Sequence, residues 1–108
     1  MSRHAAVQLE RALIVNFMNF AGRVTLEDMV SQPWASVTFS GARHGFTLLM
    51  EGESAGEAAA AFLAELETRE FALHGHILAD LAIVGDPRIL ANDCVSLSFE
   101  ALTIEETC

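Results

Sequence analysis

The chain has 108 residues, 52% of them apolar but only 7% aromatic, with six arginines, no lysine, no tyrosine and fifteen acids for a net charge of −9. That length suits a single domain, residues 1–108, whose core of Ala, Leu, Val, Ile and Phe closes without metals or disulfides. The missing lysine excludes Schiff-base catalysis and a P-loop, the missing tyrosine excludes a tyrosyl acid or nucleophile, and the acidic balance opposes nucleic acid and anionic membranes, which call for a basic stripe.

The first element is a helix over 3–21. Leu9, Leu13, Phe17 and Phe20 recur at steps of four and three, one helical face, and Gly22 is a plausible stop. Its apolar run, 12–21, is broken by Asn16 and Asn19 and is too short to span a bilayer. The N-terminus lacks a signal-peptide pattern. Residues 23–31 read as a strand leading to Pro33, although Thr25-Leu-Glu-Asp28 also resembles a helix start.

A β-hairpin is predicted over 34–51, with its turn at Gly41-Ala-Arg-His-Gly45. Alternation sends Ala35, Val37 and Phe39 inward, with Trp34, Ser36, Thr38 and Ser40 outward. On the return strand, Phe46, Leu48 and Met50 lie opposite to Thr47, Leu49 and Glu51. Ser54-x-x-Glu57 then reads as a capping box that opens a second helix, with Ala59, Phe62, Leu63 and Leu66 as its apolar stripe. Glu65 and Arg69 form a supporting i,i+4 pair.

Residues 74–84 form a long apolar strand. Strict alternation puts Ile77, Ala79, Leu81 and Ile83 on one face, with His76, Leu78, Asp80 and Ala82 on the other. Gly85-Asp-Pro and Asn92-Asp93 mark a loop, and 94–104 is the last strand, with Val95, Leu97, Phe99 and Ala101 inward and Ser96, Ser98 and Glu100 outward. The fold class is therefore α+β: a mostly antiparallel sheet of four or five strands with two helices packed on one face, in the order α-β-β-β-α-β-β.

Four constellations are candidates for function. His74-x-His76 with Asp80 is similar to the His-x-His pattern of metallo-hydrolases, and supports an alternative reading as a small-ligand or metal-dependent enzyme. The position two beyond the second histidine is Leu78 rather than Asp, however, so exposed strand-end histidines are preferred, and no metal or other cofactor is expected. Cys94, one of two cysteines with Cys108, follows Asn92-Asp93, which raises rather than lowers a thiol pKa; a small semi-buried strand residue is the better reading. Arg43 and His44, at the predicted turn, offer a grip for an anion. The outer sheet face has small hydroxyls where a solvated face would carry Lys, Glu and Arg. Trp34, Ser36, Thr38, Leu49, Leu78 and Ser98 are its candidate contact residues.

The sequence is accordingly expected to be a non-enzymatic domain that self-associates, as a homodimer, or binds a protein partner through that face. Two cysteines in a core-sufficient chain suit a reducing, cytoplasmic setting, and arginine without lysine beside abundant alanine fits a GC-rich bacterial source.

Overall fold

The computed structural model describes residues 2–90 and 93–106. The chain runs α1 (Ser2–Asn16), β1 (Arg23–Ala35), β2 (Ser40–Glu51), α2 (Ala55–Ala64), β3 (His76–Ile83), β4 (Arg88–Leu90) and β5 (Cys94–Glu105). The fold is α+β, with two helices and a five-stranded antiparallel sheet. The expected order is corrected in one respect: two strands, not three, precede the second helix, and three follow it. The strand order is β1-β2-β5-β3, and the short β4 pairs the first residues of β5 on the same side as β3.

β2 and β5 are the inner strands, and their side chains alternate between buried and exposed as a half-covered sheet requires. Phe46, Leu48 and Met50 of β2 and Val95, Leu97, Phe99 and Ala101 of β5 point into the core. Leu9 and Leu13 of α1 and Phe17 of the turn after it cover them, with Ala55, Ala59 and Phe62 from α2. Phe62 is the hub. Its ring lies 4.8 Å from Phe17, 5.8 Å edge-on from Phe99 and 6.3 Å edge-on from Phe71, with the Arg69 guanidinium 5.3 Å from its centroid. Truncating a buried Phe of this kind costs about 3–5 kcal/mol.

The hairpin is displaced from its expected position. Its turn lies at 36–39, not at 41–45, which instead runs through the first half of β2. The Ser36 side chain sets the turn, its Oγ accepting from the amides of Thr38 (3.3 Å) and Phe39 (3.0 Å), while the Ser36 amide donates to the Phe39 carbonyl at 2.7 Å. None of its non-glycine residues takes a positive φ, so the turn needs no Gly or Asn and shows no sequence mark. Val37 and Phe39, expected inward, are exposed at this tip.

Gly41 and Gly45 are strand glycines with different reasons to be there. A Cβ on Gly41 would stand 1.9 Å from the Thr103 carbonyl oxygen, whereas one on Gly45 would meet nothing within 4 Å. Two bulges also break strict alternation. In β1 the register slips between Glu27 and Val30, with Asp28 in the left-handed region at φ 57°. In β3 it slips between Leu78 and Asp80. His76 and Leu78 therefore point inward before the bulge, and Leu81 and Ile83 after it. Leu78 moves from the expected outer face to the inner one, and Ile77 moves the other way, half exposed.

The expected helix over 3–21 ends at Asn16, with Phe17 and Phe20 in the turns that follow. The second helix begins where expected, but the capping box does not form, because the Ser54 side chain makes no cap bond. Gly52, at φ 147°, makes the turn instead: its amide donates to the Asp93 carbonyl and its carbonyl accepts from the Ala55 amide, each at 3.0 Å. Glu65 and Arg69 pair at 3.1 Å as expected, just past the end of α2. Arg69 also donates to Asn16 Oδ1 at 3.1 Å, tying this segment to the end of α1. No helix among the described residues is long and apolar enough to cross a membrane.

Candidate functional site

Both helices lie on one face of the sheet, and no helix among the described residues covers the other. Register and burial define that open face row by row. Its centre is Thr47 and Leu49 of β2 facing Ser98 and Ser96 of β5, with the Thr47 and Ser98 hydroxyls 3.5 Å apart. Arg43 and Glu100 form an exposed ion pair at 3.5 Å toward one end. Trp34, opposite Gly41, and Leu102 and Ile104 of β5 lie toward the hairpin end, with Ile77 beyond them on β3. The Trp34 indole N–H is buried with no acceptor among the described residues.

Of the predicted contact residues, Trp34, Leu49 and Ser98 lie on this face. Ser36 and Thr38 do not, because they form the hairpin turn; Leu78 does not, because the β3 bulge turns it inward. Leu102 and Ile104 escaped the prediction although the alternation Ser96, Ser98, Glu100, carried two steps further, finds them. Ile77 had no such signal, because a bulge is not visible as a gap in apolar residues.

The Arg43 and His44 grip is also corrected. Both sit in mid-strand, where successive side chains point to opposite faces. Arg43 is outward and paired. His44 is inward and fully buried. Its Nδ1 lies 2.7 Å from Ser31 Oγ and its Nε2 2.9 Å from Thr103 Oγ1, and the Thr103 hydroxyl lies 3.3 Å from the Ala42 carbonyl. A carbonyl only accepts, so the Thr103 hydroxyl donates to it. Nε2–H then donates to Thr103, and Nδ1 accepts from Ser31. That network is complete with a neutral ring. Burial, and the charge of His76 nearby, hold the His44 pKa below its ordinary value.

The predicted metal set does not assemble. His74 is exposed, His76 is buried with Nδ1–H donating to the His74 carbonyl at 3.2 Å, and Asp80 lies beyond the bulge on the outer face. The described residues hold no group of three or more His, Cys, Asp or Glu side chains fit for a metal ion. Cys94 is half buried, and that burial together with the carboxylates of Glu51, its cross-strand partner, and Glu27 pushes its thiol pKa up, so it is a poor nucleophile. Cys108 lies outside the described residues.

A concavity lies at the opposite edge of the sheet from β1. It is an open slot of about 1310 Å³ between residues 63–71, which follow the middle of α2, and residues 78–87 of β3 and the loop after it.

No family model matches this chain, and no curated protein does. Among solved structures, a chain in the virion of the native gene transfer agent particle is similar, with a TM-score of 0.51 and 23% identity over 79% of this chain and 71% of that one. At that identity the likeness is one of fold.

Proposed function

We propose that this protein is a non-enzymatic structural subunit that self-associates through the open face of its sheet. The observation that carries the reading is the low charge at the centre of a face no helix covers, where Thr47, Leu49, Ser96 and Ser98 meet. A solvated sheet face of an acidic chain is expected to carry its charges there, whereas here the two inner strands carry only hydroxyls and a leucine, with Glu27 of β1 beside Thr47 and Arg43, Glu51 and Glu100 on other rows. The dimensions suit the role. Twelve-residue strands at about 3.3 Å per residue, in four rows about 4.8 Å apart, give a face of roughly 750 Å², close to the ~800 Å² that each partner buries in a standard interface. A fold neighbour that belongs to a virion particle favours a subunit over a freestanding role. A cytoplasmic place of assembly is part of the proposal, since the core needs no disulfide and Cys94 is a thiol of raised pKa.

Sedimentation velocity across a concentration series tests it. The expected result is a monomer–dimer equilibrium that Ser98→Arg with Thr47→Arg shifts to monomer while leaving the circular dichroism spectrum intact. A strict monomer at high micromolar concentration, or an assembly indifferent to the two arginines, overturns it.

A further inference from the structure

We propose that the slot beside β3 receives an extended segment of a different protein, alternating basic and apolar residues, which adds as a strand to the open edge of β3. Three observations converge there. First, β3 is the last strand of the sheet, so the backbone groups on its outer side have no strand partner among the described residues. Such an edge is a template for strand addition. Second, the core is not closed at this edge. Leu63, Leu66 and Phe71 on one wall and Leu81 and Ile83 on the other are only half buried, and the slot of about 1310 Å³ lies between them. Alternate side chains of an added strand would point into it.

Third, the slot is acidic. Glu67, Glu70, Asp80 and Asp86 line it against a single cation, Arg69. Arg69 is already committed to Glu65, to Asn16 and to the Phe62 ring. The four carboxylates have no ion-pair partner among the described residues. They favour lysine or arginine at alternate positions of the incoming strand. A second copy of this chain does not fit that demand. It brings a net charge of −9 and has no two arginines at alternate positions.

Binding of a fluorescein-labelled (Lys-Val)4 peptide to the full chain, read by anisotropy and by amide hydrogen exchange, tests the proposal. The expected result is saturable binding of one peptide per chain, with slowed exchange confined to β3. Glu67→Gln, Glu70→Gln and Asp80→Asn together, all surface changes, should weaken it roughly tenfold without altering the melting temperature. A (Lys-Gly)4 peptide of equal charge should bind more weakly, since it brings no apolar side chains. Equal binding of (Glu-Val)4 or of (Lys-Gly)4 overturns the proposal. So does unchanged affinity in the triple variant, or protection of β3 amides by protein concentration alone, which would assign the slot to a second copy.

Discussion

His44 is the residue whose environment has the plainest consequence. Its ring is neutral, buried and bonded at both nitrogens, and its pKa in the fold lies below the ordinary value. Between the folded and unfolded pKa values, the unfolded chain binds a proton that the folded chain refuses. The stability is therefore complete above about pH 6.5 and declines as pH falls through the folded value. Thermal melts from pH 8 down to pH 5 should show that decline, and His44→Gln, which keeps a donor toward Thr103 but does not titrate, should flatten it. Parallel curves for the two proteins would refute the assignment. The two strand glycines make a paired prediction. Gly41→Ala drives a methyl against the Thr103 carbonyl and should cost about 3 kcal/mol, whereas Gly45→Ala enters open space and should stabilise by up to about 1 kcal/mol. Urea denaturation of the two variants separates them, and equal effects would refute the strand placement. From sequence the two glycines are indistinguishable, because what differs is a carbonyl that approaches one of them from another strand.

At the scale of elements, local rules succeeded where an element is stabilised by its own side-chain pattern and failed where a neighbour decides. The stripes Leu9, Leu13, Phe17 and Ala59, Phe62 are buried as their spacing predicts, and β5 alternates as predicted through Ala101. The Ser54-x-x-Glu57 pattern illustrates the failure. The helix starts there, but backbone bonds from Gly52 to Asp93 and Ala55 fix its start without the serine side chain. Ser54→Ala should accordingly change stability by less than about 0.5 kcal/mol, against about 1 kcal/mol for a working cap. Chemical denaturation decides it, and a full cap-sized loss would show that the serine bonds in solution. The β3 bulge is the second case. A single extra residue reverses which side chains face the core, and since Ile77 and Leu78 are both apolar, nothing in their chemistry marks the switch.

For the whole molecule the decisive property is asymmetry. One face of the sheet is buried under two helices, the other is open, and one edge stands beside an apolar, acidic slot. A subunit that self-associates through its open face gains stability by mass action, so its melting temperature should rise with protein concentration and lose that dependence in the Ser98→Arg, Thr47→Arg variant. A concentration-independent transition in the parent protein, measured by calorimetry, would speak against a dimer as the folded unit.

The sequence by itself determined the fold class, the two helical stripes, most of the inward rows of β2 and β5 and the acidic, lysine-free surface. Those follow from periodicity and composition, which act within a few residues along the chain. Only the tertiary structure decided where the hairpin turns, that Arg43 and His44 face opposite ways in mid-strand, that Leu78 points inward and that β3 is left with an open edge. Each of these depends on a partner distant in sequence: Gly41 against Thr103, His44 against Ser31 and Thr103, β3 against the end of β5. Register between strands is settled by the burial of one whole face at once, and a pattern read along one strand carries no information about the strand beside it.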